Sequence, residues 1–236
     1  MLFAAVTAVL LASLAVTQAR PSLGIRQTAK VISHCTVPNT AALTFILFHL
    51  RYDITATLRA ANRVKHAYDM GHQVASHTWS HADLSILSLS KISTEMSKID
   101  QAIERITGAS PSFMRPPYGK YNDRVLQVAA GRKQSIVLWD LDTGDSIGAS
   151  VAEQKGQYNQ VAKRHPKTVL ALNHEVYGAR DVLPHAIKQL RSSGYRLVTV
   201  AECVGANPYQ SKGKAVLRDM LLTISLLLVL LALLNI

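Results

Sequence analysis

Two histidines four residues apart are the first side chains in this sequence that could do chemistry together. His77 and His81 lie at the ends of the short polar segment 77–81. At this spacing a helical turn would bring both imidazoles to one side, where they could bind one divalent metal ion. No glutamate follows His77, so the segment is not the zincin motif. A lone pair of this kind is often incidental, so its neighbours decide its meaning.

Other polar residues follow apolar runs further along the chain. Arg115 opens a rigid basic turn, Asp140–Asp145 contain three aspartates, and His174 ends an apolar run. Each of these, like His77, comes directly after a segment that the sequence predicts as a strand. Because the carboxyl ends of parallel strands meet at one edge, the pattern predicts an active site there. The alternatives are an ordinary proline-glycine loop at Arg115 and a hydrogen-bonded surface histidine at His174.

The elements that must position these residues alternate between strand and helix. Apolar runs predict strands, and apolar stripes at helical spacing predict helices that stop at glycines. This alternation predicts an α/β fold, either a parallel sheet or a (β/α) barrel. The predicted strands cover Ala41–Leu50, His72–Ser76, Ser112–Met114, Ser135–Leu141, Thr168–Asn173 and Tyr195–Val200, and the clearest helices are Ile92–Ile106, Asp123–Ala130, Val151–Lys163 and Val182–Leu190.

The charge is confined to the middle of the chain. The 236 residues carry 26 Lys and Arg against 15 Asp and Glu, a net charge of +11, and neither 1–19 nor 220–236 contains a charged residue. This composition excludes collagen, coiled coils, disulfide-dense miniproteins, disordered chains and polytopic membrane proteins. The positive charge suits an anionic wall or membrane surface, or is only a solvated basic face. Nucleic acid is not an expected partner of a secreted chain.

The two uncharged ends predict targeting segments. Residues 1–19 predict a secretory signal peptide, with a short N-terminal anchor helix as the alternative. The domain is expected over residues 30–210, followed by a short basic linker at 211–219 and an apolar tail at 220–236. The tail predicts a GPI-attachment signal or a retained membrane anchor, and a misread gene end stays open as a third explanation.

Two cysteines, Cys35 and Cys203, lie near the two ends of this domain. In the oxidising compartment that a secretory signal implies, one disulfide between them is the favoured prediction. Two unpaired buried thiols are the alternative. In the chain-entropy model, closing so long a loop stabilises a domain by roughly 4–5 kcal/mol.

Four segments in order resemble motifs of the polysaccharide deacetylase family, which is the NodB-homology or carbohydrate esterase 4 group. Within this family, the segments are most similar to those of fungal chitin deacetylases. The resemblance extends over residues 30–210, and residues 33–45 resemble the lead-in to the family's first motif. The second to fifth motifs correspond to residues 71–81, Arg115–Gly119, Trp139–Asp142 and Leu172–His174.

The resemblance implies an irregular (β/α) barrel that hydrolyses the N-acetyl amide in polymers of N-acetylglucosamine such as chitin. Family members hold a divalent metal, zinc or cobalt, with two histidines and one aspartate, so His77 and His81 are the expected metal ligands. In that chemistry the metal polarises the amide carbonyl and activates a water. A second aspartate is the base, and another histidine is the acid.

The same resemblance assigns the remaining site residues. His174 is the expected acid, with Asp142 holding its ring, and Arg115 is expected to orient the catalytic base. Tyr118 would offer its backbone N–H to the oxyanion, and Leu172 would wall the acetyl pocket. Three aromatic side chains are candidates for sugar stacking, with core packing as the alternative: Trp79, Tyr118 and Trp139.

The chain departs from the family at the first motif, where Thr-Phe is normally followed by Asp-Asp-Gly-Pro. Here Thr44 and Phe45 are followed by Ile46, Leu47, Phe48 and His49, so both the third metal ligand and the base are missing. The interval from Phe45 to Gly71 is about half the family's length, which predicts the loss of one βα unit. Ser146 also stands where the family usually carries Trp.

Two explanations of this departure stay open. One is a gene model that skipped coding sequence, which the intact later motifs favour. The other is a true non-catalytic homologue that binds carbohydrate at the cell wall. Asp83 and Asp53 are poor substitute ligands, since both are predicted to cap the segments that follow them. The transcript distinguishes the explanations, because only skipped sequence would encode an Asp-Asp-Gly-Pro segment.

Overall fold

The computed structural model of the protein describes residues 28–46, 54–176 and 178–213, with residues 54–58 described by their backbone alone. Four sequence predictions fall outside these residues: the signal peptide at 1–19, the apolar tail at 220–236, the shortened junction after Ile46 and the cap at Asp53. Within the described residues, no helix combines the length and apolar character needed to cross a membrane.

The strands of the described residues form two parallel sheets and one antiparallel pair. They are β1 (Val31–Ile32), β2 (Thr40–Ile46), β3 (Ala109–Pro111), β4 (Phe113–Met114), β5 (Ser135–Val137), β6 (Leu141–Asp142), β7 (Thr168–His174), β8 (Arg196–Leu197) and β9 (Tyr209–Lys212). The larger sheet has the order β6-β7-β2-β8 and the smaller β1-β5-β4, and every pairing in both is parallel. Strand β3 pairs antiparallel with β9.

Helices connect these strands, and several of the helices begin or end at capping residues. They are α1 (Ile54–Asp69), α2 (Leu89–Thr107), α3 (Asp123–Gly131), α4 (Val151–Arg164), α5 (Ala179–Ser192) and α6 (Val200–Val204). Ser88 and Ser150 accept hydrogen bonds from the third backbone N–H of α2 and α4, respectively. Gly108 ends α2 in the left-handed conformation that glycine adopts without strain.

Strand β7 is the centre of the core. Its residues Val169 to Asn173 are all buried, the continuous pattern of a parallel strand covered on both faces. Val169 and Ala171 pack against α4 and α5, whereas Leu170 packs in a second cluster with both cysteines. A third cluster lies between α2, α3 and the smaller sheet. The core therefore fixes β7, the strand that ends in His174.

The expected α/β fold with parallel sheets is confirmed, but two predicted strands are shorter than expected. The run Ser135–Leu141 is divided into β5 and β6, because the Val137 and Leu138 carbonyls accept hydrogen bonds from the Arg115 side chain. The run Tyr195–Val200 ends early, because Thr199 caps α6 with a capping box.

Two further predicted boundaries are wrong. Of the predicted strand His72–Ser76, only Ser76 bridges to a neighbour, Met114. The predicted linker at 211–219 begins too early, since Ser211 and Lys212 belong to β9 and pair with β3.

The disulfide between Cys35 and Cys203 is confirmed, with Cα atoms 5.0 Å apart. Both cysteines are buried against β7. Next to the bridge, the Thr36 backbone N–H donates to the Cys203 carbonyl at 2.9 Å, and the Thr168 hydroxyl donates to the Cys35 carbonyl at 3.2 Å. The bridge therefore fastens the N-terminal segment and α6 to the start of the central strand.

Candidate active site

The predicted site residues lie together where the parallel strands end. His174 is the last residue of β7, Arg115 follows the end of β4, and His77 follows the residue that bridges to β4. The Arg115 guanidinium donates to the Thr44 hydroxyl in β2, and the Arg115 carbonyl is hydrogen-bonded to His77. These bonds join both sheets at one edge, which we call the strand-end edge.

His77 and His81 form a close pair, with ring centroids 5.0 Å apart. The turn between them is not helical, because Thr78 and His81 have φ angles of 68° and 58°. The expectation that a helical turn would unite the rings is therefore wrong, although the rings are adjacent. An irregular turn with two left-handed residues brings them together instead.

Glu95 of α2 holds this irregular turn in place. Its carboxylate accepts hydrogen bonds from the backbone N–H of Trp79 at 3.1 Å and of Ser80 at 2.7 Å, and from the Ser80 hydroxyl at 2.9 Å. Left-handed backbone costs a non-glycine residue roughly 1–2 kcal/mol. The three bonds offset that cost. Sequence alone does not reveal this role of Glu95, because nothing in its helical surroundings distinguishes it from a solvated glutamate.

The histidine pair fits two ligand positions of a metal site. His77 Nδ1 lies 2.8 Å from the Arg115 carbonyl oxygen, to which it donates. This bond makes Nε2 the nitrogen with the lone pair, the form in which metal-binding histidines are usually held. Among the residues that the structure describes, no group of three or more His, Cys, Asp or Glu side chains could hold an ion. Among the described residues, the two imidazoles of His77 and His81 stay the predicted metal ligands.

Asp83 does not provide the third ligand. Its carboxylate accepts hydrogen bonds from the Ser85 hydroxyl at 2.6 Å and the Ser85 backbone N–H at 3.0 Å, and it pairs with Lys120 at 3.0 Å. The Ser85 hydroxyl and then Lys120 hold the pKa of Asp83 below its usual value. The prediction that Asp83 caps the following segment is confirmed, since it caps the short turn Leu84–Ile86.

Arg115 is a buried cation whose partners in the described structure are neutral. Its side chain donates to the Thr44 hydroxyl at 2.7 Å, to the Leu138 carbonyl at 2.9 Å and to the Val137 carbonyl at 3.3 Å. Burial lowers the pKa of Arg115 to about 10, against the opposing effect of the Asp142 charge. The guanidinium therefore remains charged at neutral pH and could still receive a carboxylate.

The turn after Arg115 builds an aromatic wall. Tyr118 is 63% exposed and has a φ of 59°. Gly119 has a φ of +67°, and a Cβ there would lie 2.9 Å from the Trp139 ring, so glycine is required for both conformation and space. Trp79 is 40% exposed on the neighbouring turn. The Tyr118 backbone N–H donates to none of the described residues, and its oxyanion role stays a prediction.

The carboxylate that holds His174 is Asp145 and not Asp142. Asp145 Oδ1 lies 2.8 Å from His174 Nδ1, and Oδ2 accepts the His174 backbone N–H at 2.5 Å. The Asp145 side chain is 2% exposed, against 17% for His174. The buried carboxylate orients the ring through Nδ1, which is how a histidine that acts as acid or base is usually held.

Asp142 instead belongs to the turn before Asp145. It is exposed, and its Oδ1 accepts the Gly144 backbone N–H at 2.9 Å. Gly144, with a φ of 70°, reverses the chain and buries Asp145 beneath His174. Of the three aspartates predicted at this edge, Asp140 instead accepts the Leu170 backbone N–H in the first half of β7. The prediction that Asp142 holds His174 is wrong, because spacing alone does not show where the chain turns.

The residues around His174 complete this half of the site. Leu172 is buried and lies opposite Thr44 in the register of β2 and β7. Asn173, which lies between Leu172 and His174 in the sequence, accepts from the buried Tyr158 hydroxyl at 2.8 Å and donates to the Thr44 carbonyl at 3.3 Å. Neighbouring strand ends are therefore cross-linked through Thr44. The role of Leu172 at an acetyl pocket stays a prediction.

Comparison with known proteins decides the family. The family model "Polysaccharide deacetylase" matches residues 28–133. A chitin deacetylase of a Pestalotiopsis species is 31% identical over 216 residues, which cover 78% of this chain and 70% of that relative. The chain belongs to the polysaccharide deacetylase family.

Other relatives agree with this assignment. A probable peptidoglycan-N-acetylglucosamine deacetylase of Arthroderma benhamiae is 31% identical over 217 residues, 77% of this chain but only 48% of that relative, so the chain spans about half its length. The solved chitin deacetylase of Colletotrichum lindemuthianum matches 80% of this chain and 96% of its own, with a TM-score of 0.69 and 25% identity. These matches confirm the α/β fold of the NodB-homology type.

Proposed function

We propose that this chain acts on chitin or a related N-acetylglucosamine polymer outside the cell, and that the chemistry of its site is hydrolysis of the N-acetyl amide. One observation carries the proposal: the His77–His81 pair and the His174–Asp145 pair lie at the same strand-end edge, where the Arg115–Thr44 hydrogen bond joins the two sheets. Several related deacetylases act on such polymers by name. The buried disulfide suits an oxidising, extracellular compartment.

Different described residues would serve different parts of the reaction. His174 would donate a proton to the departing amine, and Asp145 would hold the ring in position through Nδ1. The exposed ring of Tyr118 and the nearby Trp79 offer stacking surfaces to the sugar. The Tyr118 backbone N–H would donate to the oxygen that becomes negative during attack on the amide.

A divalent metal, zinc or cobalt, would be held by His77 and His81. When bound, it would polarise the amide carbonyl and lower the pKa of a water. Two imidazoles alone make a weak site, and the sequence has no aspartate or glutamate between Thr44 and Leu50 to serve as third ligand or base. We therefore propose that catalysis by this chain is slow compared with relatives that have both carboxylates.

A second candidate function follows from the same gap. The chain could bind the polymer at the cell wall without deacetylating it, with the apolar tail at 220–236 holding it at a membrane. The observation that favours this candidate is the Arg115 cation, whose described partners are a hydroxyl and two carbonyls rather than a carboxylate.

The test compares binding with catalysis in the full chain. We expect retention on chitin beads and little release of acetate from chitin oligomers in the presence of zinc or cobalt. Acetate release at the rate of an intact relative would contradict the argument from the missing carboxylates, and absence of chitin binding would contradict both candidates. Tyr118→Ala should weaken retention, whereas Met70→Ala, which also removes an exposed apolar side chain, should leave it unchanged.

A further inference from the structure

The two edges of the parallel sheets differ in charge. At the edge opposite the site, where the strands begin, five basic side chains converge, and we call these the basic edge: Lys163, Arg164, Lys167, Arg191 and Arg196. They converge because α4 and α5 both end there, directly before β7 and β8. The starts of α4 and α5 at the strand-end edge carry both signs, with the acids Glu153 and Asp181 close in sequence to Lys155 and Arg180.

Short contacts hold the segments of the basic edge together. The His165 ring is hydrogen-bonded to the Ser193 carbonyl at 2.6 Å, which joins the ends of α4 and α5. Asn39 connects the strand starts, because its N–H donates to the Lys167 carbonyl and its carbonyl accepts the Arg196 N–H, both at 2.8 Å. The five cations therefore project from a rigid platform.

These cations are exposed and lack acidic partners in the described structure. None of the five forms an ion pair with a described carboxylate. Arg196 has the acidic residue Glu202 nearby. Hydrogen bonds from Thr199 chiefly lower the pKa of Glu202, and the Arg196 charge lowers it further. Favourable interaction with helix C-termini explains Lys163 and Arg164, which lie in the last turn of α4, but not Lys167 or Arg196, which follow the helices.

The chain leaves the described domain at this same edge. Residues 135–142 contain β5, which belongs to the smaller sheet, and then β6, which belongs to the larger sheet. Each pairs in parallel with its neighbour, so the strands of both sheets begin at the same edge. Strand β9 pairs with β3 immediately before β4 begins, and the Gly213 N–H donates to the Gly108 carbonyl at 2.6 Å. The sequence continues with the basic residues Lys214 and Arg218 and the apolar segment 220–236.

From these two observations we propose that the basic edge binds the anionic lipid headgroups of a membrane surface. Phosphate and carboxylate headgroups attract clustered basic side chains that lie near an apolar membrane segment. The proposal depends on segment 220–236 contacting a membrane, and it does not depend on catalysis. With the basic edge on the lipid, the strand-end edge and its site face away from the membrane, toward a polymer in the wall.

The test measures vesicle binding by the full chain. Flotation gives a partition coefficient for vesicles of phosphatidylcholine mixed with phosphatidylserine and another for phosphatidylcholine alone. We take the ratio of the first to the second, because the contribution of the apolar tail is present in both and cancels. We expect a ratio well above one that falls as salt is raised. Charge reversal of three residues of the basic edge should lower the ratio by about tenfold or more: Lys163→Glu, Arg164→Glu and Lys167→Glu.

A matched triple variant makes the same change in net charge at the helix starts of the strand-end edge: Lys91→Glu, Lys155→Glu and Arg180→Glu. This variant should keep most of the wild-type ratio. Equal losses in both triples would overturn the proposal, because they would reflect net charge alone. Binding to soluble polygalacturonate with no preference for anionic vesicles would also overturn it, and would identify an acidic polysaccharide instead. Since neither measurement involves chitin or acetate, failure here is distinct from failure of the proposed function.

Discussion

The two halves of the site rest on different kinds of structure. His174 ends a seven-residue buried strand, and Asp145 holds it through both the ring and the backbone. His77 and His81 lie on an irregular turn, where two of the residues that set the geometry have positive φ angles. The first half is secured by the core, and the second by hydrogen bonds that the turn and His77 donate to the Glu95 carboxylate and the Arg115 carbonyl.

This difference shows which part of the site depends on the altered first motif. The His174 half uses only β7 and the turn at Gly144, and its hydrogen bonds are complete in the described structure. For the His77 half, the resemblance to the family predicts two aspartates after Phe45, and the sequence provides none up to Leu50. The proposed acid, His174, is therefore held in place, whereas the proposed metal site lacks carboxylates in the sequence up to Leu50.

The largest expected effect comes from restoring those carboxylates. The double substitution Ile46→Asp/Leu47→Asp re-creates the Thr-Phe-Asp-Asp sequence of the family directly after Thr44 and Phe45, and Thr44 accepts a hydrogen bond from Arg115. Acetate release from chitin oligomers should rise by roughly 10²–10⁴-fold, because a positioned base contributes about that much. The matched control is Ile46→Asn/Leu47→Asn, which adds similar volume and polarity without charge. Equal rates in the two variants would mean that the lost activity has another cause.

Much of this architecture could be predicted from sequence. The alternation of strands and helices, the edge that carries His77, Arg115 and His174, and the Cys35–Cys203 bridge all follow from local patterns and from the order of the motifs. Such patterns depend on residue type and spacing, which the sequence shows directly.

The parts that sequence did not predict depend on irregular backbone. Asp145 rather than Asp142 reaches His174 because Gly144 is left-handed, and His77 meets His81 because Thr78 is. Spacing arguments assume regular helices or strands, so they fail at such turns. Glu95 was not predicted because its partners are 15–16 residues away and two of the three are backbone N–H groups, which carry no residue-specific signal.

The disulfide gives the next largest effect, and it concerns the His174 half. Cys35→Ser/Cys203→Ser should lower the free energy of unfolding by about 4–5 kcal/mol, because the bridge closes a sequence separation of 168 residues. Denaturant unfolding without reductant measures this loss. Reduced wild type should behave like the double variant. A change below about 1 kcal/mol would show that packing around β7 suffices to hold this half.

A smaller effect should separate the two aspartates. Asp145→Asn should cost about 2–3 kcal/mol of stability, because it weakens two hydrogen bonds of a buried carboxylate. Asp142→Asn, at an exposed position, should stay within about 0.5 kcal/mol of wild type. Nitrogen NMR of the His174 ring adds a local measurement, since loss of the Asp145 charge should change which ring nitrogen carries the proton. Equal effects of the two substitutions would contradict the pairing described above.

The smallest predicted difference concerns the aromatic wall of the His77 half. Gly119→Ala should cost about 2–3 kcal/mol, from strain at a φ of +67° and from a new Cβ 2.9 Å from Trp139. Gly71→Ala is the control, because Gly71 has a φ of +84° and no atom near its Cβ position, so only the strain of about 1 kcal/mol remains. Thermal unfolding measures both costs, and near-ultraviolet circular dichroism should change only for Gly119→Ala, since that substitution must displace the Trp139 ring. An unchanged aromatic spectrum in both variants would mean that the turn at Tyr118 moves away from Trp139, and the wall would then be as adaptable as the rest of the His77 half.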